Sequence, residues 1–178
     1  MRAGHLRHRI IQQTPTDAIN THGEVARTWA QAAEIWASVR PLRATERIKA
    51  GQQDVETDHI VKARYRAVAA TDRFLVPMQR TTLNGAIATT NGTSITVTSA
   101  AGYPADKDFR IRIDSEIMNV TAGQGTTTWT VTRAMDGTSG ATHADAATVE
   151  HMAALNIGQI INPLERDAEL EIMCSVVN

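Results

Sequence analysis

The sequence predicts a mainly β protein, and three observations carry that expectation. Strict period-two alternation sets Leu170, Ile172 and Cys174 against Glu169, Glu171 and Met173. The same alternation sets Ile60, Lys62, Arg64 and Arg66 against Val61, Ala63, Tyr65 and Ala67. Residues 83–151 are rich in Thr, Gly and Ala, with short β-prone runs divided by turn residues.

Taken in order, Leu6–Gln13 reads as a first strand, with Arg7, Arg9 and Ile11 on one face and Leu6, His8, Ile10 and Gln12 on the other. Pro15, Asp17, Asn20 and Gly23 make residues 14–23 a loop by composition. Trp29, Ala33 and Trp36 are spaced as a helical stripe, so propensity alone favours helix over 25–34. Residues 35–40 are β-rich and stop at Pro41. Arg43–Gln53 reads as a short helical or loop excursion ending near Gly51. A strand follows over His59–Val68, then a short strand from Asp72 to Val76 that Pro77 ends. In the Thr-rich part, strands are expected at 94–98, 109–113, 116–121 and 128–132. Leu155, Ile157 and Ile160 then lead to Asn162-Pro163, where proline breaks the ladder and opens a turn into the last strand.

The bulk numbers exclude several classes. With 178 residues and 42% hydrophobic content, the chain is long enough for one medium or two small cores. Aromatics at 4% argue against a sugar- or base-stacking surface, and a net charge of −1 argues against polyanion binding by the whole chain. Cys174 stands alone, so no internal disulfide can form, as in a reducing compartment. No apolar run approaches the roughly 18 residues that span a bilayer. The basic start, Met1 to Arg9, has no long apolar stretch behind it and does not read as a secretory signal. The protein is therefore expected to be soluble and cytoplasmic when made, with no membrane partner. Charge is uneven: residues 1–80 hold 13 Lys+Arg against 8 Asp+Glu, 81–151 hold 4 against 7, and 152–178 hold 1 against 4.

Residues spread through the chain carry a family resemblance. Asn162-Pro163-Leu164-Glu165-Arg166 followed by Glu169 to Cys174 resembles the C-terminal end of head–tail joining (head-closure) proteins of tailed bacteriophages. Upstream and in the same order, the chain matches the family in its opening Met-Arg-Ala-Gly-x-Leu-Arg-His-Arg-Ile. It matches again at Trp29, Trp36, Ala37, Val39, Pro41 and Leu42, at Glu46, Ala50 and Gln52, and at His59 with Arg64-Tyr65-Arg66. The resemblance implies strand for 25–34 as well as for 35–40, against the helical propensity of the first stretch. The Thr-rich part is similar to a small β module of other phage structural proteins, through Thr96 to Pro104, Ile113 to Met118 and Trp129 to Thr138.

The resemblance implies a β-barrel-like body over 1–80 and 152–178, discontinuous in sequence, with the small all-β module 81–151 inserted in a hairpin turn. Such a tip is tolerant because the two strand ends are already close. It further implies a homo-oligomeric ring of twelve or six subunits in the virion neck. The ring would have a portal or adaptor protein on the head side and a tail terminator or tail tube protein on the tail side. DNA would pass through the channel without sequence-specific contacts. Arg43, Glu46, Arg47, Lys49 and Gln52 are candidates for the channel or a subunit interface. Glu165, Arg166, Asp167 and Glu169 form an acidic counterpart. Trp29, Trp36, Tyr65, Leu170, Ile172 and Cys174 are candidates for the body core.

Few residues suggest chemistry. His5 and His8 sit among arginines and lack a third metal ligand. Asp54, Glu56, Asp58 and His59 read as a solvated strand entry. Asp106, Asp108, Asp114 and Glu116 could serve calcium in the module, but calcium needs six or more oxygens gathered at one point, so a solvated reading is favoured. No nucleophile triad, Gly-x-Ser-x-Gly or phosphate-binding glycine loop is present. No catalytic residue, cofactor or metal is therefore assigned, and the chain is read as structural rather than enzymatic. Tail completion or termination, or a surface-binding role for 81–151, is the alternative.

Overall fold

The computed structural model describes residues 3–19, 21–42 and 58–177. These residues are mainly β, in ten strands. They are β1 (His8–Ile19), β2 (Val25–Pro41), β3 (His59–Arg64), β4 (Arg73–Thr82), β5 (Ser94–Thr96), β6 (Phe109–Ile113), β7 (Glu116–Ala122), β8 (Thr128–Thr132), β9 (Thr148–Ile161) and β10 (Glu169–Val176). Short 3₁₀ turns lie at Ala3–His5 and Pro163–Glu165.

The chain divides into two compact units. One is Met1–Arg27, Gln31–Val76 and Ala154–Asn178; the other is Thr28–Ala30 and Pro77–Ala153. In the strand order β10–β3–β2–β1–β4–β9, β10 bonds to both β3 and β9, so the pairings return on themselves in a ring-like arrangement. The buried cluster of the first unit lines the inner faces of these strands. It includes Ile10, Ala37, Val61, Phe74, Leu155, Leu170, Ile172 and Cys174. Period-two alternation places these side chains. On β10, Leu170, Ile172 and Cys174 point inward, and Glu169, Glu171 and Met173 are only half-buried. Burial pushes the Cys174 thiol up to about 12.

In the second unit the order is β9–β6–β7–β8–β5. Its core spans Leu83 to Val149 and centres on Tyr103, Phe109 and Trp129, whose rings meet 5.1–5.8 Å apart. The Tyr103 hydroxyl donates to the Val149 carbonyl at 2.9 Å. Gly123 has φ +80, and a Cβ there would lie 2.1 Å from the Thr128 carbonyl oxygen, so only glycine fits the β7–β8 turn.

Several sequence expectations change. β1 starts at His8 and runs through Pro15 to Ile19, where a loop was expected. In its register with β4 the paired residues are Ile11–Gln13, and Pro15 lies beyond them, where a missing N–H is tolerated. Pro77 likewise lies inside β4, beyond the three residues registered with β1. Residues 25–34 form strand, as the family resemblance implied and propensity alone did not. Their apolar spacing at Ala33, Ile35, Ala37 and Val39 has period two, and pairing overrides the helical coincidence of Trp29, Ala33 and Trp36. β3 ends at Arg64, four residues before the expected Val68.

Three aromatic core expectations are also corrected. Trp36 is 57% exposed and Tyr65 is 49% exposed, while Trp29 is half-buried and belongs to the second unit. Trp36 lies on the outward face of β2 next to inward Ala37. Tyr65 follows the end of β3, where no facing strand covers it.

Candidate functional site

Two arrangements of charged residues stand out, the turn of the C-terminal hairpin and a buried network in the second unit. The hairpin turn grows from local sequence. Pro163 occupies the first position of the 3₁₀ turn, where its missing N–H costs nothing. The Glu165 amide donates to the Asn162 carbonyl at 3.2 Å, and Asn162 Nδ2 donates to Asp167 Oδ1 at 2.8 Å. Glu165 and Asp167 both hold φ +52, a left-handed conformation that side chains resist. Glu165, Arg166 and Asp167 are exposed, so the turn presents its charges to solvent. Further along, Glu169 stands opposite Arg64 in the β10–β3 register, and Glu171 forms an ion pair with Lys62. Arg43, Glu46, Arg47, Lys49 and Gln52, the expected basic counterpart, lie outside the described residues.

The buried network centres on Glu116, whose side chain is fully enclosed. Arg133 donates to it through Nε (2.7 Å) and Nη2 (2.6 Å), and the Ala134 and Ala141 amides donate at 3.1 and 2.9 Å. His143 Nε2 lies 3.0 Å from the same carboxylate, and His143 Nδ1 lies 2.8 Å from Asp114 Oδ2. Burial alone would raise the Glu116 carboxyl. The hydrogen bonds from Arg133, then His143 and the two amides, outweigh it and hold the group down at about 2. Arg133 Nη1 also reaches the Thr89 and Gly92 carbonyls and Nη2 the Ala141 carbonyl, so one guanidinium ties the end of β8 to two loops. Four N–H donors and His143 Nε2 surround one carboxylate, so its oxygens are engaged within the chain. The network is a structural clasp.

Sequence reading noticed Asp114 and Glu116 only as weak cation candidates and missed Arg133 and His143. They lie 17 and 27 residues from Glu116 with no periodic relation to it. Two further buried or half-buried ion pairs, Arg110 with Asp136 and Arg112 with Glu150, brace β6. Asp108 accepts from Asn119 and Gln124.

Comparison with known proteins bears on the role. Residues 1–80 match the model of a family described as phage head completion protein. The family agrees with the head–tail joining resemblance carried by Trp36, His59 and Arg64-Tyr65-Arg66. It supports a structural protein of the phage head–tail region. Among solved structures, the solution structure of protein SF1141 from Shigella flexneri 2a is similar at 19% identity, over 99% of this chain and 96% of that one, with a TM-score of 0.43. No curated protein matches the chain. Among the described residues, no helix is long and apolar enough to cross a membrane.

Proposed function

We propose that the chain is a head-closure connector in the neck of a tailed-phage virion. In this reading it assembles as a ring beneath the portal or its adaptor, closes the DNA-filled head and offers a docking surface to the tail. The observation that carries it is the head completion family match over residues 1–80, a stretch that includes β1 to β3 and most of β4. Residues 1–80 and 152–178 form the joining body, and 81–151 form an inserted module. The separate buried clusters support that division: one uses residues from Ile10 to Val76 and Leu155 to Val176, the other Leu83 to Val149. The module faces the outside of the ring, because nearly 70 residues per subunit would crowd a narrow channel. The segment 43–53 and the acidic turn at Glu165 and Asp167 meet across neighbouring subunits or face the lumen, since the first has a surplus of positive charge.

The test is a phage in which this gene carries a nonsense mutation, complemented by the purified protein. Filled heads that leak DNA and carry no tails, rescued by added protein, are the expected outcome. Normal tailed particles without the protein overturn the connector reading. Gold label found at the tail tip or on the capsid shell favours the surface-binding alternative. Label at the tail's upper end on head-free tails favours tail termination.

A further inference from the structure

At the end of β3 the first unit has an open pocket of about 550 Å³. Its position follows from the sheet. Ala37 pairs with Ala63, and continuing that register brings Trp36 opposite Arg64 and Ile35 opposite Tyr65. β3 stops at Arg64, so the inward row Val61–Ala63 continues into Tyr65 with no strand to cover it. Leu6, Ile35, Trp36 and Tyr65 line an apolar hollow, and Arg64 and Arg66 stand at it. A pocket of this size, set where a ring of strands opens, is in the range that holds a ligand side chain or small peptide.

The charges are unbalanced there. Most other body and module cations have acids: Arg9 with Glu34, Arg27 with Asp17, Lys62 with Glu171, Arg110 with Asp136, and Arg80 and Arg112 with Glu150. Among the described residues no carboxylate lines the pocket, and Glu169 stands opposite Arg64 in the β10–β3 register without lining it. Arg66 Nε is closed off from solvent and has no hydrogen-bond partner. A guanidinium left unsatisfied within the chain is an unfilled demand, and the planar fork of an arginine at the pocket is suited to holding a carboxylate. Trp, Tyr and Arg together are also the side chains that anchor protein interfaces.

We propose that this pocket binds an acidic segment of a partner protein, with one apolar side chain seated against Trp36 and Tyr65 and a flanking carboxylate held by Arg64 and Arg66. The chemistry of the occupant follows from the pocket alone. That the partner is a neighbouring neck protein rests on the connector reading above.

The test uses the full chain and a fluorescein-labelled peptide of alternating Glu and Leu, with Lys-for-Glu and Ser-for-Leu versions as controls. Fluorescence anisotropy should show saturable binding of the acidic-apolar peptide, about tenfold or more tighter than either control and weakened by salt. Arg66→Gln and Trp36→Ala should each lower affinity by about tenfold, while Arg27→Gln, on the exposed β1–β2 ribbon, should not. Equal binding of acidic and basic peptides, binding indifferent to both pocket variants, or no binding overturns the proposal. So does a short single-stranded DNA that displaces the peptide at lower concentration, which would make the pocket a nucleic-acid site. Self-association in sedimentation that Arg66→Gln and Trp36→Ala abolish, without peptide binding, would assign the pocket to a second copy instead. None of these outcomes depends on the ring or on the neck location, which the complementation experiment tests separately.

Discussion

Replacing Glu116 by Gln is expected to destabilise the second unit strongly and to remove a defined part of its acid sensitivity. The carboxyl sits at about 2 in the folded protein against an ordinary 4.5. That difference corresponds to about 3 kcal/mol of stabilisation by linkage. The folded value lies below the unfolded one, so the stabilisation is complete above about pH 4.5 and is lost as pH falls towards 2. Breaking one side of a buried ion pair gives a similar figure by an independent route, about 3–5 kcal/mol, because Arg133 would keep its charge in an enclosed site. For a unit of this size, such a loss lowers Tm by about 12–40 °C at neutral pH. The assay is thermal unfolding by near-ultraviolet circular dichroism from pH 7 to pH 2, comparing wild type with E116Q. The gap between the two should narrow as pH drops through the window in which wild-type Glu116 becomes protonated. A variant that melts within about 2 °C of wild type at pH 7, or two pH curves that run parallel, would refute the clasp.

Three further outcomes are expected. Replacing 81–151 with a short glycine-containing turn should leave a soluble β-rich body, because loop closure depends only weakly on length and the body cluster uses no residue of that span; loss of the β circular dichroism signal would place the boundary elsewhere. Cys174, fully buried with its thiol pushed up to about 12, should react with a thiol reagent at pH 8 roughly a hundredfold or more slower in the native protein than in denaturant; comparable rates would mean that β10 opens readily. Changing Arg43, Arg47 and Lys49 together to Glu should impair ring assembly or DNA retention while the monomer keeps its circular dichroism spectrum; filled particles with normal tails would make the segment a bystander.

Strand content was legible wherever one face met the core. Leu170, Ile172 and Cys174, or Val61 and Ala63, declare their face by period two because a one-residue slip would bury the charged side. The ribbon of β1 and β2 was less legible. Over Thr16–Ile19 and Val25–Thr28 every residue is exposed, so no burial pattern marks the strand and only pairing between the two holds it. The exposure of Trp36 and Tyr65 was illegible for a related reason. Large aromatics are expected inside, but Trp36 falls on the outward face of β2 and Tyr65 lies past the end of β3. The Glu116 clasp joins residues brought together by β7, the end of β8 and a loop, a long-range convergence that no local spacing announces. The acidic turn was visible from Asn162-Pro163, but its two left-handed residues were not, since Glu has no preference for that conformation.

The double pairing of β10 has a consequence for synthesis. Until Glu169–Val176 leaves the ribosome, β3 and β9 each present an unpaired edge, and the partners that β10 joins lie about a hundred residues apart in sequence. Such non-local closure is slow and leaves the nascent chain open to edge-to-edge association with its neighbours. A polysome making many copies at once would hold these open edges at high local concentration. Maturation of the first unit is therefore gated by the arrival of its last strand. Premature stops within β10 should yield aggregates rather than partly active protein.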